Sequence, residues 1–356
     1  MSDFKYKIQK HKKNIILGLS VVFVGVAGLG VYTMVKNSKT QPEVKEETYK
    51  DTAVRKAKYI IGANENGNID LINTKDGKVL QTINLPNGSK YSRSNSLDEV
   101  MAYNNNKFYS IKLNKDKLED KEICSIDENI NVKDFKFSTS FIVVNTGKDF
   151  KAISIKDKSI KSINVDNISD YVVVDNNLVY AKDDCIYTVD LNTMSNKKIK
   201  IGDITEGLIV LKDGVVAINN FGSGKNTTTL LELNAETLNI DNSKAHNNSN
   251  VYAVTCDNDD VSVGFLDKTT QNGVDTQSYY SINLEDKTNM SNKKVPLPVS
   301  QTDKSNEKDI NKDNTVATKG YMYTNKDGNI NIFDLRAGAP DTVINTKDTF
   351  FMPVLD

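Results

Sequence analysis

One hairpin, repeated seven times, constrains the fold of this 356-residue chain more than any other feature. Its clearest copy runs Tyr59-Ile60-Ile61, Asn64-Glu65-Asn66-Gly67-Asn68 and Ile69-Asp70-Leu71-Ile72-Asn73, closing on Lys75-Asp76-Gly77-Lys78. A β-branched run, an Asn-Gly turn that accepts positive φ, a second run and an Asp-Gly turn make a tight antiparallel unit. The last copy, from Tyr321-Met322-Tyr323 through Asn325–Asn329 to Ile330–Leu335, superposes on the first without a gap. Weaker copies span Met101–Leu113, Phe141–Ile155 and Leu178–Leu191, and two more carry inserts, Val215–Leu233 and Val261–Leu284. Anchored on the residue equivalent to Asn73, the copies fall at 73, 112, 154, 190, 232, 283 and 334. The steps approach the ~40–50 residues of a four-stranded propeller blade. A lone hairpin cannot bury its apolar face, whereas a closed ring of sheets can. The expected fold is therefore all-β, a seven-bladed β-propeller over residues 57–356. The apolar end Phe350–Leu355 is expected to pair with Val54–Tyr59 and close the ring. A pair of β-sandwiches is the structural alternative, but it offers no reason for this period.

The stretch Gly67–Val79 resembles the blade motif of the YVTN and pyrroloquinoline-quinone-like propeller families. In those families a Gly turn precedes an apolar strand, an Asp/Asn-x-x-x-Gly-Lys turn and another strand. The resemblance implies a propeller and nothing about activity, because propellers host unrelated functions. The chain contains no Trp, which the quinone-dependent branch uses in its blade-docking motif. No cofactor and no catalytic residue is carried over.

Ahead of the repeats lies an apolar run from Ile15 to Val35, 21 residues between Lys13 and Lys36. As a helix it reaches roughly 31 Å, the thickness of a hydrocarbon core. A soluble helix of that length would carry a polar face, and this one has none. A cleavable signal has an apolar region of about 7–15 residues before a small-x-small site. Here the run continues past Gly28-Leu29-Gly30, so an uncleaved signal-anchor is expected. Lys5, Lys7, Lys10, Lys12 and Lys13 crowd the N-terminal tail, which places the N-terminus in the cytoplasm. The reading is a basic tail over 1–13, a single-pass transmembrane helix over 14–36, a polar stalk over 37–56 and an extracytoplasmic domain over 57–356.

Residues 1–36 carry six Lys and one Asp, so a total of −1 leaves the remainder near −6. A mildly acidic exterior argues against nucleic acid, which would call for a basic face. Heavy use of Asn, Lys, Ile and Asp without Trp fits a low-GC bacterial genome. Cys124, Cys185 and Cys256 are odd in number and widely spaced, which suits small core residues better than a disulfide framework. Of two histidines only His246 lies beyond the membrane, in a polar segment expected to be a loop. A His-based metal site or Ser–His–Asp arrangement would have to use it alone. Phe221-Gly222-Ser223-Gly224-Lys225-Asn226 lacks the first Gly of a phosphate loop and the Ser or Thr that holds Mg²⁺.

With no catalytic inventory, the expected function is a binding or scaffold module for a protein or envelope partner at the cell membrane. Two alternatives stand beside it. One is an exported hydrolase or lyase acting on a carbohydrate or lactone through carboxylates around the ring axis. The other is a subunit of an envelope machine for secretion, conjugation or sporulation. Contact loops are expected around Phe221–Lys225, Asp267–Gln277 and Ser300–Asn314. Asp257, Asp259 and Asp260 supply oxygens of the kind Ca²⁺ takes, but they lack the spaced loop pattern with a central Gly, and turn chemistry accounts for them. Chelation is expected to leave the melting transition of the purified full-length chain unchanged. A downward shift on chelation would instead place Ca²⁺ at these aspartates.

Overall fold

Alternating apolar and polar residues between tight turns have one common outcome, antiparallel pairing of chain neighbours, and the sheets bear this out. The computed structural model describes residues 56–126, 130–166, 168–201, 205–210, 214–220, 227–247, 249–257, 260–271, 274–283, 295–296, 315–318, 321–326, 328–334 and 339–354. The expected tail, membrane helix from Ile15 to Val35 and stalk before Lys56 lie outside these residues, as do Phe221, Lys225 and Asp259.

The first sheet contains β1 (Tyr59–Ala63), β2 (Asn68–Asn73) and β3 (Val79–Asn84). The second is β4 (Lys90–Arg93), β5 (Glu99–Asn104), β6 (Lys107–Asn114) and β7 (Lys117–Ser125). The third is β8 (Asp134–Phe137), β9 (Phe141–Asn145), β10 (Phe150–Ser154) and β11 (Ile160–Ile163), and the fourth β12 (Asp170–Val174), β13 (Asn177–Lys182), β14 (Cys185–Asp190) and β15 (Asn196–Lys200). The fifth follows with β16 (Thr205–Val210), β17 (Gly214–Asn220), β18 (Thr227–Asn234) and β19 (Ile240–Asn247). The sixth is β20 (Ser249–Asp257), β21 (Asp260–Gln271), β22 (Val274–Asn283) and β23 (Val295–Pro296). The seventh is β24 (Thr315–Thr318), β25 (Tyr321–Lys326), β26 (Asn329–Asp334) and β27 (Ala339–Asn345); the last strand, β28 (Phe350–Val354), returns to the first sheet. Each of these seven sheets among the described residues has four strands in simple sequential order, the first reading β28-β1-β2-β3.

The core lies between successive sheets. In β9, Ile142 and Val144 join Phe108 and Phe135 toward the second sheet, while Phe141 and Val143 join Tyr171 and Leu178 toward the fourth. In β13, Leu178 and Tyr180 face the third sheet and Val179 and Ala181 face the fifth. Period-two alternation thus feeds two interfaces at once, which is why second strands read as nearly continuous apolar runs such as Phe141–Val144. Outermost strands have no such duty. β15, Asn196-Lys197-Lys198-Ile199-Lys200, is almost wholly exposed, and its lysines discourage pairing with another chain.

The expected turns appear with the expected backbone. Gly67, Gly77, Gly147 and Gly328 all have φ between 69° and 87°, and Asn105-Asn106 forms a two-residue turn with both φ positive. Closure is shifted from expectation. β28 pairs with Tyr59–Ala63, Tyr59 opposite Val354 and Ala63 opposite Phe350, rather than with Val54–Tyr59. Residues 54–58 carry too little apolar surface for a strand covered on both sides, whereas Ile60 and Ile61 are fully buried. His246, expected in a loop, lies in β19 opposite Thr228; an outermost strand shows no apolar alternation to betray it. Asp267 and Gln277, expected in a loop, belong to the paired strands β21 and β22. Cys124 is buried, but Cys185 is partly exposed, and both are free thiols.

Phe351 of β28 is 1% exposed and Val343 of β27 is 54% exposed. Phe351→Ala is expected to cost about 3–5 kcal/mol in urea unfolding, and Val343→Ala less than about 0.5 kcal/mol. Equal effects would contradict the placement of β28 inside the first sheet.

Candidate functional site

Sequential antiparallel strands send their connections alternately to two ends. Links from first to second and from third to fourth strand lie at one end; links from second to third strand, and between sheets, lie at the other. The chain comes into β1, a second strand, and leaves β28, a first strand, so residues 56 and 354 both lie at the former end. The strand ends that flank the three segments expected as contact loops lie at the latter: Asn220 and Thr227, the tip of the β21–β22 hairpin, and Pro296 and Thr315; Asn283 and Val295, which flank the eleven residues between a third and a fourth strand, lie at the former. The β21–β22 ladder also outruns its neighbour. β20 pairs with β21 only as far as Asp267, while β21 and β22 remain paired to Gln271 and Val274. Four further pairs project roughly 13 Å at about 3.3 Å per residue.

The same end holds a recurrent side-chain lock. A residue ending the second strand reaches back to the turn before that sheet's innermost strand. Asn104 donates through Nδ2 to Ser89 Oγ at 3.0 Å and to the Pro86 carbonyl at 3.1 Å. Asn145 Nδ2 donates to Asp134 Oδ2 at 3.0 Å, and Lys182 pairs with Asp166. In the first sheet Asn64 Nδ2 donates to Asp348 Oδ1 at 3.1 Å. Asp348 also accepts from Thr346 Oγ1 at 2.5 Å, and its carbonyl accepts from Asn325 Nδ2 of the seventh sheet at 2.9 Å. Burial pushes the Asp348 carboxyl above its ordinary range, and the charge of Asp70 adds to the effect. The sequence reading took Asn64 only as a turn residue. Its recurrence with Asn104 and Asn145 at one strand position was the available signal.

Charged residues do reach the innermost strands of the second to fourth sheets: Lys90, Arg93, Asp134, Lys136 and Asp170. The two carboxylates are committed within the fold. Asp134 accepts from the Tyr171 hydroxyl and from Asn145; Asp170 accepts from the amides of Tyr171 and Leu208, both at 2.9 Å. Arg93 donates to the Phe351 carbonyl at 3.3 Å. The Cys124 thiol is pushed up by burial, and that of Cys185 by desolvation and the adjacent Asp184, so neither is poised as a nucleophile. Asp257 and Asp260 lie opposite each other across a tight turn, at the end where the chain comes in. Among the described residues no group of three or more His, Cys, Asp or Glu could hold a metal ion.

The architecture is shared with solved structures. Hsv2 of Kluyveromyces lactis superposes with a TM-score of 0.50 at 13% identity, over 78% of this chain and 90% of that one. A functionally unknown protein from Desulfotomaculum acetoxidans gives 0.51 at 11% identity, over 84% and 98%. The WD40 domain of Pan2 from Neurospora crassa gives 0.44 at 14% identity, over 75% and 81%. At such identities the likeness concerns the fold alone. No protein-family model and no curated protein matches the chain. The fold is a β-propeller.

Proposed function

We propose that this chain is a single-pass membrane protein whose extracytoplasmic seven-bladed propeller binds a protein or envelope partner through the end that carries its three expected contact segments. The observation behind this reading is the division between the two ends. The described chain comes in at Lys56 at one end, where the β22–β23 connection is also rooted, and the three segments expected as contact loops are rooted at the other. Loops that vary in length on a rigid scaffold are where binding specificity concentrates. Seven four-stranded sheets, with β28 paired to β1, support seven blades. Asp134 and Asp170, two of the carboxylates on innermost strands, are both bound by internal donors, which argues against these two as the catalytic pair of the hydrolase or lyase alternative.

Two measurements test this reading. Deleting residues 15–35 is expected to move the chain from the membrane fraction to the soluble fraction; retention at the membrane would overturn the anchor. In cells carrying the full-length chain, crosslinking is expected to retain a partner. Shortening 221–226, 268–277 and 300–314 together should cut that capture at least tenfold while leaving the melting temperature close to wild type. Undiminished capture by the shortened chain would place recognition elsewhere.

A further inference from the structure

The lock of the first sheet differs from that of the second in one respect: it contains a buried charge. Asn104 is held by the hydroxyl of Ser89, a neutral partner. Asn64 is held by the carboxylate of Asp348, whose residue is 0% exposed. The site is tight. A Cβ built on Gly62 would lie 2.1 Å from Asp348 Oδ2, so only glycine leaves room for this carboxyl against β1. No counter-charge accompanies it. It meets Gly62 on β1 and Asn64 just past that strand, on β25 the Asn325 amide, and on its own turn Thr346 and the exposed Lys347. The titratable groups facing it are Asp70 of β2, which repels it, and the Tyr91 phenol of β4, which donates to the Asn64 carbonyl at 3.2 Å. Among the described residues no Lys, Arg or His forms an ion pair with Asp348.

We propose that Asp348 is an acid-sensitive clasp on the propeller: protonating its carboxyl tightens the junction at which β28 closes the first sheet. A neutral carboxyl keeps the Asn64 bond to Oδ1, and its O–H can donate to Thr346 Oγ1, whose hydroxyl rotates to accept. The desolvation of the anion and its repulsion by Asp70 then disappear. The sign follows from proton binding. The folded chain holds this proton more tightly than the unfolded chain, so stability rises as pH falls through the raised folded value. The gain is complete below the ordinary 3.8.

Unfolding of the full-length chain and of Asp348→Asn, followed from pH 8 to pH 4.5, tests the clasp. Asp348→Asn keeps the shape without the charge. It is expected to be the more stable protein at pH 8, with the difference shrinking as pH falls. Each unit of upward displacement corresponds to about a tenfold change in the folded-to-unfolded ratio. A difference independent of pH would overturn the proposal. Should the variant fail to fold, carboxyl-carbon NMR titration of the wild-type chain decides. A buried resonance titrating above the ordinary carboxylate range, and moved down by Asp70→Asn, supports the clasp; no aspartate titrating above 3.8 removes it.

Discussion

Everything in this fold waits on the pairing of β28 with β1. The two strands are separated by about 290 residues, and drawing the ends of so long a loop together costs roughly 5 kcal/mol plus a constant. Against this stand Phe351, Met352 and Val354, all buried, each gaining about 1.5–3 kcal/mol. The two sides are of similar size. Closure is therefore a balanced step, and small terms at the junction decide its strength. Tyr91 against Phe350, with ring centroids 5.6 Å apart, and Arg93 on the Phe351 carbonyl attach β28 to the second sheet. Asn325 on the Asp348 carbonyl attaches the turn before it to the seventh. A strand contributed by one terminus thus holds three sheets together.

Much of this was legible in the sequence, and the reason is physical. All seven anchor positions, 73, 112, 154, 190, 232, 283 and 334, fall in the third strand of a four-stranded sheet. Second and third strands sit mid-sheet, carry residues that pack on neighbouring sheets, and are joined by turns that demand Gly or Asn. Every part of that unit therefore constrains residue type. The innermost and outermost strands escape for opposite reasons. β4 and β8 are only four residues long, too short for a period to show. β15 is almost wholly exposed and can hold any soluble residue; β19 shows no apolar alternation in its sequence, so His246 carries no strand signal.

The locks were invisible for a third reason. Asn64 and Asp348 are 284 positions apart, and no local pattern couples them. A repeat reveals which residues recur at a strand end, but not what their side chains touch. The loop end shows the same limit. Its three expected contact segments were recognisable in the sequence, yet that they share one end follows only from strand order. Because the locks and the connections lie at one end, partner contacts there would press on the same turns that hold the innermost strands in place. Binding and closure are then mechanically adjacent in this architecture.

The direction of Asp348's response sets it apart from four described carboxylates held in tight turns. Asp98, Asp149, Asp157 and Asp190 are all held below the ordinary range by hydrogen bonds within their turns, Asp157 to about 2. In the folded and unfolded chain alike these groups are ionised above about pH 5, so they give stability no slope there. Their contributions are lost only as pH drops through and below the ordinary range, and the exposed positions of Asp98 and Asp157 keep theirs small. Asp348 titrates on the other side of that range, because burial and Asp70 act on it where turn donors act on the others. Between the ordinary carboxylate range and neutrality the junction therefore tightens while these turns stay constant. Among the described residues, the seam that answers to acid in this way is the one on which the ring depends.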